Sequence, residues 1–453
     1  MGGAAHHQLA YLKKLKILLK DLYLPQAKTN HQQRMAILIK NATIINPGGE
    51  NYSGNVDILI ENGVINKIGK KITAKNAQVV ASENLHVSPG WIDIGTQAGE
   101  PGFEQRETLE TLAAAAVKGG FTKLALFPNT DPVIMRRADI DSLFKKAEKL
   151  PVEILPIGAA TANCAGKELN EYMDMAVSGA IAFSDGRIGL RDPGCLSRSL
   201  MYANAAGKPI INRPLQISFN PFGVIHEGKT SVSLGLEGIP IEAEVIALQQ
   251  DLMVLNYAGG KLISIGISSE EAIKIINKKQ RDHYPGVAAM NLLYTAEKLE
   301  EFDTSFKVLP PLRSEKDRKA LISAVISGKI SFIFSNHEPM ESELKDVEFG
   351  AAAFGASTLE TAFQMAWTAL YRKIALSDLI SLFTVGPADA LGISAPIIKE
   401  GQKAELTLLN PDLEETITRE NIRSISKCVP ALKTKLKGKI IGTLIGSNLN
   451  LVQ

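Results

Sequence analysis

The sequence is poor in the residues that mark disulfide or metal proteins. Its three cysteines, Cys164, Cys195 and Cys428, are scattered along 453 residues. That odd number and wide spacing suit neither a disulfide framework nor a Cys-x-x-Cys metal knuckle, and such usage fits a reducing, cytoplasmic setting. Seven histidines would suffice in number for a four-histidine metal site, but His6, His7 and His31 fall in the first 34 residues. Neither sign of charge dominates. Fifty Lys plus Arg against 48 Asp plus Glu leave a net charge of +2, too weak a field to expect nucleic-acid binding. No apolar run nears the roughly 20 residues that span a bilayer. The pairs Gly119-Gly120 and Gly259-Gly260 lead into neither a Lys-Ser/Thr nor a third spaced glycine, so they read as turns rather than nucleotide loops.

What is present describes a globular protein: 45% of residues are hydrophobic and 22% charged, enough for two or three domains. Residues 1–34 differ from the rest. Gln8 to Leu24 is a basic amphipathic pattern with one acid, Asp21, followed by a polar linker. It reads as a membrane-surface helix, a targeting segment or an extension ahead of a start at Met35. Residues 35–88 and 393–453 are strand-like runs closed by turn chemistry such as Asn-Gly and Pro-Gly. They predict one composite β-sandwich domain made from both chain ends. Residues 89–392 alternate strand-like runs (KLALFP, VEILPIG, AIAFSD, PIIN, KLISIGIS, ISFIFSN) with helix-like ones. About eight such βα units predict a (β/α)₈ TIM-type barrel, whose chemistry sits just after each strand.

Read at those strand ends, VSPGWIDIGTQAGEPGFEQRET resembles the first barrel strand of dihydroorotases, within the cyclic amidohydrolases. Further stretches match in order: FPNTDP, AIAFSDG, HEGKTSVSLGLEGIPIEAE, FKVLPPLRSEKDRKAL, SNHEP, FGAAAFGASTLET and GPADALGI. The resemblance runs from Met35 nearly to the C-terminus. It implies a metal-dependent barrel that cyclises carbamoyl aspartate to dihydroorotate in pyrimidine synthesis, using two zinc ions to activate hydroxide.

The departures from the family pattern lie at its site positions. Family histidines are replaced by Gly95, Gln97, Arg213 and Gly266, and the carboxylate-binding arginine by Gly99. The metal-binding aspartate and general base becomes Asn336, while Leu309 and Met340 replace the substrate-binding asparagine and histidine. Pocket residues still matching are Asn129, Asp185, His337, Phe354 and Gly355, and of the histidines only His337 is expected at the mouth, with His86 and His226 in loops away from it. An Asp185–Arg213 ion pair across the mouth is one expectation, and two separately solvated charges the other. Glu104, Arg106, Glu107, Asp131, Arg313 and Glu360 read as scaffold, and Cys164 as a poor nucleophile. No metal or cofactor is expected. The chain then reads as a catalytically silent, homo-oligomeric relative, and the resemblance implies aspartate transcarbamoylase as its partner. The alternative is a working cyclic amidohydrolase with an altered metal site.

Overall fold

The computed structural model describes residues 36–278, 280 and 282–452; the basic stretch discussed for residues 1–34 lies outside them. Five strands open the described chain: β1 (Ile37–Ile44), β2 (Asn55–Glu61), β3 (Val64–Gly69), β4 (Gln78–Val80) and β5 (His86–Pro89). Asn62 and Gly63 take φ of 53° and 78°, the two-residue turn that matches strand twist and joins β2 to β3. There follow β6 (Trp91–Thr96), β7 (Phe121–Leu126), β8 (Glu153–Ala159), β9 (Ala182–Ser184), β10 (Ile210–Asn212), β11 (Ile225–His226), β12 (Gly238–Ile239), β13 (Leu262–Ile265), β14 (His283–Ala288) and β15 (Phe332–Phe334). The chain closes with β16 (Glu405–Thr416), β17 (Lys435–Ile445) and β18 (Asn448–Leu451).

Strand β5 stitches the two ends together. It lies parallel to β1 and antiparallel to β16, so N-terminal and C-terminal strands share one eight-stranded sheet. Ile39, Ile58, Ile65 and Val87 from one end pack with Leu406, Leu408 and Leu444 from the other. Strands β6 to β10 and β13 to β15 form the barrel, in the order β15-β14-β13-β10-β9-β8-β7-β6. They are short apolar runs, as a parallel sheet buried on both faces requires. Where β15 meets β6, a side chain does the joining: the Asp93 carboxylate accepts from Ser335 N at 2.7 Å and Ser335 Oγ at 2.6 Å. Ile92 N and Ile333 N donate to Phe383 O and Leu382 O at 2.9 and 3.1 Å. Burial raises the Asp93 pKa against these bonds.

Some features depart from the sequence reading. Residues 225–239 hold a parallel two-stranded ladder of β11 and β12, so His226 ends a strand, and His86 begins one, where loops were expected. Helices Arg137–Ala147 and Pro193–Ala205 follow strands as barrel helices should. No described helix is long and apolar enough to cross a membrane.

Candidate functional site

Beyond the C-terminal ends of β6 to β15, the first question is whether the changed positions have room for the side chains they lack. Gly95 sits in β6 where the register shifts between Ile94 and Thr96, and its φ is 83°. A Cβ there would stand 2.7 Å from Ile265 Cδ1 and 2.8 Å from Phe127 Cε2. Gly266 has φ 90°, and a Cβ would meet Pro310 Cδ at 3.1 Å. At Gly99 a Cβ would lie 2.2 Å from Phe103 O and 2.4 Å from Glu107 O. Those are backbone atoms, so a larger residue there requires the loop itself to be rebuilt. Strained dihedrals and occupied space coincide at Gly95 and Gly266.

Arg213 follows β10 and is buried. Its Nη2 donates to Asn336 Oδ1 at 3.4 Å, and Asn336 Nδ2 donates to Leu309 O at 3.1 Å. Burial lowers the Arg213 pKa, the charge of Glu338 opposes that, and Arg187 adds to it. The expected Asp185–Arg213 pair is replaced by another arrangement. Glu338 pairs with Arg187, while Asp185 accepts from Thr161 N at 2.8 Å and Thr161 Oγ1 at 2.5 Å. Thr161, just beyond β8, thus satisfies both carboxylate oxygens, leaving Asp185 no need to reach across the barrel. Solvation of two free charges is not the outcome either, since both residues are buried. Burial raises the Asp185 pKa against the Thr161 bonds.

The matching residues are largely engaged within the protein. Asn129 Nδ2 donates to Asp185 O at 3.2 Å and its Oδ1 accepts from Arg187 N at 3.1 Å. Gly355 N donates to Lys307 O at 3.0 Å, and Gly355 O accepts from Lys345 Nζ at 2.9 Å. Met340 fills space beside Gly355: a Cβ on Gly355 would lie 3.0 Å from Met340 Cε. Gln97 is buried, and its N–H donates to His337 O at 3.0 Å. His337 differs from expectation. Its Nδ1 accepts from Thr358 N at 3.1 Å and Leu359 N at 3.3 Å, which places the ring proton on Nε2. That nitrogen faces Glu107 Oε2 at 3.7 Å, so the ring points into the surrounding shell. Burial would raise the Glu107 pKa, but His337, Ser424 and Thr111 together hold it below the usual range. Phe354 is the exception: with Leu309 it lines an apolar pocket.

The Dihydro-orotase-like family model matches residues 85–272. The dihydroorotase of Pelotomaculum thermopropionicum is 34% identical over 423 residues, spanning 92% of this chain and 98% of that protein. The chain belongs to the dihydroorotase family. A second dihydroorotase, from Bacillus cytotoxicus, is 32% identical over 421 residues, covering 92% of this chain and 98% of its own length. Among solved structures, the L-hydantoinase (dihydropyrimidinase) from Arthrobacter aurescens superposes with a TM-score of 0.79 at 22% identity. The match covers 91% of this chain and 95% of that one, a likeness of fold.

Zinc ions do not fit the donors that this dihydroorotase-family chain offers. Zinc takes about four N, S or O ligands, whereas glycine, a guanidinium and an amide stand at the positions where the resemblance puts ligands. Among the described residues, no group of three or more His, Cys, Asp or Glu is placed to hold a metal ion. The other described histidines are engaged elsewhere: His226 Nδ1 lies 3.2 Å from Arg313 Nη1, His283 Nε2 lies 2.9 Å from Ser264 Oγ, and His86 Nδ1 lies 2.9 Å from Asn84 O. Burial, then the charge of Asp185, pushes the Cys164 thiol up to about 12, which leaves it un-ionised near neutrality. Sequence reasoning missed Phe127, Ile265 and Pro310, which fill the space beside the changed positions, and Thr161, which takes Asp185. The signal for Ile265 was adjacency: it directly precedes Gly266.

Proposed function

We propose that this chain serves pyrimidine biosynthesis as a catalytically silent member of its family, a cytoplasmic homo-oligomer that acts as structural partner to aspartate transcarbamoylase. One observation carries the silent reading: a Cβ at Gly95 or Gly99 would fall under 3.0 Å from neighbouring atoms, and one at Gly266 would stand 3.1 Å from Pro310 Cδ. Loss of a ligand by substitution alone leaves a hole that a water or another donor can enter. Ile265 and Phe127 instead crowd the Cβ position of Gly95, and Pro310 that of Gly266.

A second reading is a working dihydroorotase, or another cyclic amide hydrolase, with an altered metal arrangement. The relatives favour it, since those matching over 91–92% of the chain bear the name dihydroorotase. The deciding experiment measures zinc per chain together with dihydroorotate turnover on one preparation. The silent reading expects substoichiometric zinc and no turnover above background. Stoichiometric zinc with turnover would establish the second reading. Mixing with aspartate transcarbamoylase on a sizing column tests the partner: a co-eluting complex is expected, and separate elution removes the partner from the proposal.

A further inference from the structure

Beside the mouth, Leu215, Ile217, Ile239, Ala243, Leu309 and Phe354 are the apolar walls of a pocket of about 190 Å³. A cavity of about 150 Å³ lined by aliphatic and aromatic groups holds benzene, so this one has room for a substituted or fused ring. Its lining contains no charged residue, and Gln216 and Asn220 supply its polar side chains. The Asn220 amide is already engaged, donating to Glu237 Oε2 at 3.1 Å and Gly238 O at 2.9 Å. A ligand therefore meets apolar surface and the Gln216 amide. A carboxylate placed there would lose its hydration without a direct ion pair from the lining.

The walls are held in place before any ligand arrives. Gln216 N donates to Ala243 O at 2.8 Å, tying the loop to helix Glu242–Ala258. Lys345 Nζ donates to Ala353 O at 2.8 Å and Gly355 O at 2.9 Å, on either side of Phe354. The Lys307 ammonium lies 5.1 Å from the Phe354 ring centroid and is anchored on Phe349 O and Gly350 O, both at 2.8 Å. Such fixed walls reduce the ordering cost of binding.

We infer that this pocket binds a small, uncharged ring compound rather than an anionic substrate, through Leu309, Phe354 and the apolar wall opposite. The inference extends the silent reading to a ligand but does not rest on it, because pocket and metal positions answer to different measurements.

Isothermal titration with indole as the probe tests it on the full chain. Wild type should bind one indole saturably, and indole-3-carboxylate at least about tenfold more weakly. Ala243→Phe, which fills the pocket, should weaken indole at least about tenfold, within the range that one lost apolar contact commands. Leu309→Asn, which changes polarity with little change in volume, should weaken it at least about fivefold. Circular dichroism melts establish that each variant is folded, and Leu309→Asn decides the matter if Ala243→Phe is not. Absence of saturable indole binding, equal binding by the folded variants, or equal affinity for the carboxylate would overturn the inference. Turnover of dihydroorotate, measured separately, leaves each of these outcomes unchanged.

Discussion

In the shell around the barrel, buried carboxylates are surrounded by donors. Glu360 accepts from Arg423 N and Ser424 N at 2.9 Å. Glu244 accepts from Arg313 Nη2 at 2.9 Å, Ser268 N at 2.7 Å and Ser268 Oγ at 2.5 Å. At the mouth Asp185 is likewise satisfied, by Thr161, but the buried cation is not. Arg213 is buried with one long bond to an amide and with its Nε unpartnered, and the ligand positions nearby are glycines packed against apolar atoms. Glu244 and Glu360, which hold the backbone, lie in stretches that resemble the family, whereas Gly95, Gly266 and Asn336 stand where that resemblance puts metal ligands. Architecture and chemistry are separable here, because different side chains supply them.

The largest contrast should come from breaking one ion pair in each region. Arg313→Met strands Glu244 in a site where both side chains are nearly inaccessible, 1% and 2% exposed. It is expected to cost about 3–5 kcal/mol in urea denaturation. Arg187→Met, at a pair whose arginine is 32% exposed but whose Glu338 is 4% exposed, should cost less, about 1–3 kcal/mol, because water reaches only the arginine end. Comparable losses would erase the distinction between shell and mouth.

Next, taken per pH unit, is a pH effect. Burial raises the Asp251 carboxyl to about 8 against the bond from Asn212. The folded chain thus keeps a proton that the unfolded chain, with a carboxylate near 4, has released. This group's contribution is full below about pH 4 and is lost as pH rises to about 8, with a slope of up to about 1.4 kcal/mol per pH unit. Asp251→Asn should flatten that slope and be the more stable protein at pH 8. Taking the difference from wild type cancels His226 and His283, which burial lowers to about 4 and which act in the opposite sense.

Smaller still, Gly95→His should lose about 1–3 kcal/mol by overpacking and take up no zinc in equilibrium dialysis. Zinc uptake by a folded Gly95→His would show that the mouth can reopen. Smallest is the coupling between Arg213→Met and Asp185→Asn, whose effects should add to within about 0.5 kcal/mol because each residue has its own partner. A larger coupling energy would restore the ion pair that the geometry replaces.

Much of the fold was legible because strand and helix periods are local. ISFIFSN contains β15 and KLALFP takes in the last four residues of β7, and β5 with β16 joins the two chain ends as the turn chemistry suggested. At the mouth, sequence located the changed positions but not what had moved into them. Nothing in the identity of Gly95 says that Ile265 and Phe127 lie within 3 Å of its missing side chain. The orientation of His337 was equally hidden, since it depends on the amides of Thr358 and Leu359, which reach it only in the folded chain.

The clamp on residues 423–425 bears on biosynthesis. Glu107 receives the hydroxyl of Ser424 from 317 residues downstream, and Glu360 receives the adjoining amides. While a ribosome is still making the barrel, both acids lack these partners. The segment around Glu107, just ahead of helix Leu109–Gly119, therefore reaches its final stability only when the last few dozen residues emerge. A prematurely terminated product would carry unmatched buried acids and be an early target for quality-control proteases.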